Sequence, residues 1–191
     1  PVDETMRPGK QRGIYGLTKW MAEEFIEYYH GRYGLKAIIV RIFMCYGPGE
    51  IPNPFRSAIS RFIGRALKNE EIIVHEGSER SWCYEDDIVK GIYAAAMYES
   101  SFDIFNIGID EPWSMEAVAE EIIELTNSES IIRIEPIPLG ITPVKAGNFA
   151  KAKWLLGWEA KIPFREGIKR TVEWNIERRK DMKLKGEITT I

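Results

Sequence analysis

The sequence predicts an α/β protein built on at least part of a parallel sheet. Three observations carry that reading. Apolar residues recur at helical spacing in several segments, and these alternate with short β-branched runs. One run, Lys36–Ile42 (KAIIVRI), is apolar on both faces, as expected of a strand covered on both sides. Turn residues, above all Gly47-Pro48-Gly49, fall between the periodic segments.

The first element is a long helix from about Ile14 to Tyr33. Leu17, Met21, Phe25 and Tyr28 repeat every three or four positions along it, and Gly34 supplies a stop. The strand over Lys36–Ile42 follows, then a loop over Phe43–Pro54 and a helix from about Phe55 to Leu67. Glu71–His75 reads as a strand, Glu76–Glu79 as a turn, and Ser81–Tyr84 as short and extended. Asp86 or Asp87 is placed to cap a helix running to about Tyr98. Phe102–Ile107 is a further strand, Ser114 caps a helix to about Thr126, and Ser130–Glu135 reads as a strand. The stretch Pro136–Gly147 is the longest loop. Asn148 opens a short helix ending at Gly157, and a last amphipathic helix begins near Arg165.

Composition narrows the function classes. With 191 residues, 45% of them hydrophobic and 29% charged, the chain matches a globular protein with room for one good core or two small ones. A net charge of −3 gives no electrostatic case for nucleic acid or a membrane surface. The cluster Arg178-Arg179-Lys180 is offset by nearby acids and reads as a solvated helix face. No apolar run approaches the roughly 20 residues of a membrane span, and no signal-peptide pattern is visible. Cys45 and Cys83 lie within apolar or aromatic stretches and read as reduced, partly buried thiols of a cytoplasmic protein. His30 and His75 have no metal-ligand spacing, so no metal site is expected. The chain begins Pro-Val-Asp, without Met, and is read as a piece of something longer.

Chemistry is concentrated in a few places. Tyr15 and Lys19 stand at i and i+4, on one face of the first helix. A phenol is a poor base at neutral pH, but a neighbouring ammonium stabilises the phenolate and makes it a usable proton shuttle. Spacing alone favours an ordinary helical Tyr with a solvated Lys. The loop Phe43–Gly49 lies at the carboxyl end of a parallel strand, where α/β proteins bind ligands. Arg80 carries a fork suited to phosphate, or else pairs at the surface with Glu79 or Glu76. Arg41, Trp82, Tyr84 and Val74 read as structural. No glycine-rich strand–turn–helix fingerprint occurs anywhere in the sequence.

Taken in order, YGLTK (Tyr15–Lys19), RIFMCYGPG (Arg41–Gly49), RSWCYEDD (Arg80–Asp87), FNIG (Phe105–Gly108) and KAKWLLGW (Lys151–Trp158) resemble the extended short-chain dehydrogenase/reductase family. The closest branch is that of the NAD-dependent nucleotide-sugar epimerases and dehydratases. The resemblance covers nearly the whole chain and implies its carboxyl-terminal portion, without the glycine-rich loop and the catalytic Ser/Thr. It further implies the end of an NAD-binding Rossmann domain over residues 1–50. A small mixed α/β substrate domain is implied over residues 51–191, with some segments returning to the Rossmann sheet.

By the same resemblance Tyr15 is the catalytic base and Lys19 the residue that bonds the nicotinamide ribose. Phe43 lies near the nicotinamide of NAD (or NADP). Met44 stands where the family has Asn, and Lys145 and Asn148 where it commonly has Arg and Asp; these positions, with Asn53 and Arg80, face a nucleotide-sugar substrate. A homodimer pairing through the Tyr15 helix is implied as well. RSWCY leans toward the UDP-glucuronate decarboxylases. Two other readings stay open: a nucleotide-binding relative without turnover, and a reductase of a non-sugar carbonyl compound.

Overall fold

A computed structural model describes residues 1–7, 13–138 and 142–184, with residues 183 and 184 as backbone only. In chain order the elements are α1 (Ile14–Tyr33), β1 (Ala37–Ile42), β2 (Cys45–Tyr46), α2 (Ala58–Ala66), β3 (Ile72–His75), β4 (Glu79–Ser81), β5 (Cys83–Tyr84) and α3 (Glu85–Ala96). They continue with β6 (Phe102–Ile107), β7 (Pro112–Ser114), α4 (Met115–Thr126), β8 (Ile132–Glu135), β9 (Val144–Lys145), α5 (Ala150–Leu156) and α6 (Phe164–Leu184). The alternation expected from periodicity is present, and β1–β6, β2–β5 and β3–β8 are all parallel pairs. A mixed three-stranded sheet, β7–β4–β9, completes the architecture among the described residues.

Two cores organise these elements. In one, α2, α4 and α6 close over β3 with Ile59, Ile63, Ile72, Val118, Ile122, Phe164 and Ile168 fully buried. The second joins α3 and α5 to β6 through Ile88, Phe105, Ile107, Ala152 and Trp158. Gly91 lets α3 approach β6 closely, because a Cβ there would lie 2.6 Å from Ile107 Cγ2. Between the cores run β2 and β5. Tyr46 and Tyr84 face the first core from this pair, and Cys83 faces the second.

Several local expectations are corrected. The stripe Leu17–Met21–Phe25–Tyr28, whose spacing predicts the helix, lies mostly in solvent: Met21, Phe25 and Tyr28 are exposed and no residue of the helix is fully buried. The side toward β1 instead carries Glu23, whose carboxylate accepts from Arg41 Nε at 2.9 Å and Nη2 at 2.7 Å. β1 is not covered on both faces either, since only Ile39 is buried and Ile42 is 50% exposed. Ser57 rather than Phe55 starts α2, accepting from Ser60 N–H at 3.2 Å, while Phe55 is left exposed. Asp87 does not cap α3; it is buried and accepts from Lys161 N–H and Ile162 N–H, each at 2.7 Å. Cys45 is exposed, not partly buried. Arg179 is not part of a purely solvated face, because its guanidinium donates to Leu67 O and ties α6 to the end of α2.

The loop after β8 holds a strand that periodicity cannot show. Residues 139–141 of that loop lie outside the described residues, but β9 returns parallel to β4, with Lys145 beside Arg80. Val2 then bridges Gly147, and Asn106 Nδ2 donates to Val2 O at 3.0 Å and Asn148 O at 3.2 Å. The first residues of the chain are thereby seated against the same loop.

Candidate active site

Two adjoining clefts mark the carboxyl ends of β1 and β4. The first, about 690 Å³, is lined by Tyr15, Ile42, Phe43, Met44, Lys145 and the seated first residues Pro1 and Val2, among others. The second, about 490 Å³, is lined by Met44, Arg61, Arg65, His75, Arg80 and Lys145 among others. Both volumes are typical of small-molecule sites. Met44 and Lys145 line both clefts, so they stand at the junction.

The first cleft gathers Tyr15, Phe43 and Met44 from separate segments. Tyr15 is 74% exposed near the start of α1, and the Lys19 ammonium lies 5.6 Å from its ring centroid. Helical spacing produces this proximity directly. Phe43 packs edge-on against Phe149 at 5.3 Å, forming an aromatic wall. Gly108 and Gly147 make that packing possible, since a Cβ on either would lie within 3 Å of the Phe149 ring and of the Phe43 side chain. Met44 holds φ at 43°, a left-handed backbone in which a non-glycine residue is strained, at the point where β1 gives way to the loop.

The second cleft is cationic. Arg80 is buried and makes no ion pair among the described residues, so the expected surface pairing with Glu79 or Glu76 is absent. Its guanidinium donates instead to the backbone: Nη2 to Thr142 O at 3.0 Å, and Nη1 to Glu79 O at 2.7 Å and to Pro143 O. Arg80 thus latches the segment that carries Lys145. Burial pulls the Arg80 guanidinium below its ordinary range. Burial, and then the nearby Arg80 charge, do the same to the Lys145 ammonium. Two cations held together at such a cost form a surface that an anion would relieve.

Arg61 and Arg65 add positive charge from α2, and the His75 ring joins the lining from the end of β3; sequence reasoning overlooked all three as site residues. Their only signal was the i, i+4 spacing of the arginines on a helix, which is common on surfaces. Glu135 opposes them but is engaged by Arg133 at 2.8 Å. Asn53 and Asn148 line neither cleft. Asn53 closes a turn by accepting from Phe55 N–H at 2.9 Å, and Asn148 accepts from Ala150 N–H at 3.0 Å at the start of α5. Among the described residues no cluster of His, Cys, Asp or Glu is suited to a metal ion.

Comparison with known proteins places the chain in a family. The profile of the NAD dependent epimerase/dehydratase family matches residues 1–108. The chain belongs to that family. It is similar to the UDP-glucuronate 4-epimerase of Thermodesulfobacterium geofontis, with 32% identity over 96% of this chain and 58% of the relative. It is also similar to the UDP-N-acetyl-alpha-D-glucosaminuronate decarboxylase of Bacillus cytotoxicus, with 29% identity over 86% of this chain and 54% of the relative. Among solved structures, the UDP-glucose 4-epimerase of Thermotoga maritima with UDP-glucose superposes at a TM-score of 0.87. Identity there is 29%, covering 94% of this chain and 58% of that one. The chain spans about half the length of the curated relatives it matches.

Proposed function

We propose that this chain is the carboxyl-terminal portion of an NAD-dependent nucleotide-sugar epimerase or dehydratase, of a kind that includes the UDP-sugar decarboxylases. The observation that carries the reading is the junction of the clefts. A cleft with an exposed phenol and an adjacent ammonium opens, past Met44 and Lys145, into a cationic one. That arrangement suits a molecule with a reactive sugar at one end and a diphosphate at the other. In this reading residues 1–50 end the NAD-binding domain and residues 51–191 mainly hold substrate, with β6 returning to pair β1.

The residues present fit the nicotinamide end of NAD: Tyr15 and Lys19 offer polar groups to a ribose, and the Phe43–Phe149 wall offers an aromatic face. No glycine-rich loop for its pyrophosphate exists in the sequence. NAD, when bound, supplies the transient oxidation of a sugar hydroxyl and its reversal. Tyr15 accepts the hydroxyl proton at its phenolic oxygen, and Lys19 stabilises the phenolate. Lys145 and Arg80 hold the diphosphate, Arg80 also fixing the segment on which Lys145 stands.

A panel of UDP-, dTDP- and GDP-sugars, assayed for turnover with the full-length protein and NAD, tests the assignment. Tyr15→Phe should lower turnover by roughly 10²–10⁴-fold while nucleotide-sugar affinity holds. Wild-type turnover in that variant would reduce Tyr15 to a helix residue. The 191-residue chain alone should bind NAD weakly, and micromolar affinity by calorimetry would count against its being a portion. The protein is further assigned to the cytoplasm and to a homodimer through α1, whose Phe25, Tyr28 and Tyr29 are exposed together. Tyr28→Glu should shift it toward monomer in light scattering, because a C₂ axis doubles each substitution.

A further inference from the structure

Cys45 and Cys83, the only cysteines in the sequence, are direct partners across β2 and β5. The pairing is parallel, and Cys83 N–H donates to Met44 O at 3.1 Å beside it. Directly paired residues project to the same face of a sheet. The next pair shows this: the rings of Tyr46 and Tyr84 lie together with centroids 5.7 Å apart. One residue earlier the thiols lie on the opposite face, where Cys83 packs with Ile88, Phe105, Ile107 and Trp158. Neighbouring strands run about 4.8 Å apart, within the Cα separation of about 4.4–6.8 Å that a disulfide spans. We propose that Cys45 and Cys83 form a reversible cross-strand disulfide, an oxidative modification site distinct from the two clefts.

The co-reactant is a low-molecular-weight disulfide. Cys45 is exposed and Cys83 is 1% exposed, so the order of steps follows from access. The Cys45 thiolate attacks one sulfur of the oxidant, breaking its S–S bond and releasing one thiolate. Cys83, deprotonated, then attacks the Cys45 sulfur of the mixed disulfide and releases the second. The two protein thiols are oxidised, the oxidant is reduced to two thiols, and the two protons pass to the released thiolates.

The groups facing the pair set its rate. Although the Cys45 residue is exposed overall, desolvation of its sulfur by the surrounding protein, then the carboxylates of Glu85 and Glu50, push the thiol up to about 11. Burial, Asp87 and Cys45 push Cys83 up to about 12. Lys90 approaches Asp87 at 3.7 Å and partly offsets its charge. Both thiols are therefore protonated at neutral pH, and exchange there is slow. The Cys45 thiolate population rises tenfold with each pH unit until that pH is reached.

The test holds the purified protein with excess oxidised glutathione at pH 7.5, 8.5 and 9.5, followed by non-reducing peptide mapping with mass spectrometry. The expected product is a Cys45–Cys83 linked peptide in monomeric chain, formed roughly tenfold faster per pH unit and reversed by dithiothreitol. Cys83→Ala should stop at a glutathione adduct on Cys45, and Cys45→Ser, at an exposed position, should take up almost none. A stable wild-type glutathione adduct on Cys45, a Cys45–Cys45 link between chains, or two free thiols at pH 9.5 would each overturn the proposal. None of these readouts depends on nucleotide-sugar turnover.

Discussion

The two ends of this molecule are built differently. Around β3, helices α2, α4 and α6 bury a continuous set of side chains, with Ile63, Ile72, Val118, Ile122 and Ile168 at 0% exposure. Around β1, the 20-residue helix α1 has no buried residue. It is held by a partly buried ion pair, Arg41–Glu23 at 2.7 Å, and by light packing on the strand. Stability resides in the first region, while the phenol assigned to catalysis stands on the second. The contrast teaches that the end carrying Tyr15 depends on specific polar ties, whereas the end carrying the cationic cleft is shaped by a core.

Truncating the core should give the largest effect. Phe164 is 1% exposed and packs against Tyr46 and Trp113, so Phe164→Ala should cost about 3–5 kcal/mol in denaturant unfolding. Phe25 on α1 is 59% exposed, and Phe25→Ala should cost no more than about 0.5 kcal/mol. Equal costs for the two would erase the contrast.

Asp87→Ala should come next, at about 2–4 kcal/mol. The carboxylate is 2% exposed and accepts the N–H groups of Lys161 and Ile162, joining α3 to the segment before α6. Removing it leaves two donors without an acceptor inside the protein. Asp87→Asn retains one acceptor oxygen and should recover part of the loss. If both variants unfold like wild type, the tie between the two cores lies elsewhere.

Arg41→Ala should cost about 1–3 kcal/mol, and its signature should be local. Amides of α1 should exchange faster in hydrogen-exchange measurements, while those of α4 keep their protection. Arg41→Lys, which cannot reproduce the two-pronged contact to Glu23, should restore only part of that protection. Uniform loss of protection across both regions would mean that α1 is no separate unit.

The helices and strands with clear periods were legible in the sequence: the bounds of α1, β6 and α4 are as expected, and β1 and β3 each start one residue later. Which way an element faces was less legible. Aromatic residues surround α1 on several sides, so the apolar stripe did not single out the side that holds Glu23 against Arg41. Polar ties across long sequence separations were hidden altogether, because nothing local in Asp87, Arg80 or Arg179 signals a backbone partner far along the chain. At the site, Tyr15, Phe43, Met44, Arg80 and Lys145 were found by their family pattern, and the structure brings them to two adjoining clefts. Asn53 and Asn148 came from the same pattern but close local turns. Arg61, Arg65 and His75 carried no pattern of their own.

The smallest expected effect concerns Lys145, where the cationic cleft meets the one that holds Tyr15. Burial and Arg80 lower its ammonium from the ordinary range, so the folded chain holds that proton less tightly than the unfolded chain. The unfolded state then binds more protons in the alkaline window below the ordinary lysine value, and Lys145 makes stability rise with pH through that window. At neutral pH the charged group opposes folding. Lys145 is exposed overall, and solvent screening limits the cost to a few tenths of a kcal/mol, the scale of surface charges. Lys145→Gln should therefore leave the free protein as stable as wild type or slightly more so, and flatten the alkaline rise. Binding of an anion should reverse the order, since a nucleotide diphosphate stabilises the folded state by RT ln(1 + [L]/Kd). Thermal unfolding with UDP added should raise the wild-type midpoint more than that of Lys145→Gln. Equal shifts for the two proteins would move the diphosphate away from Lys145.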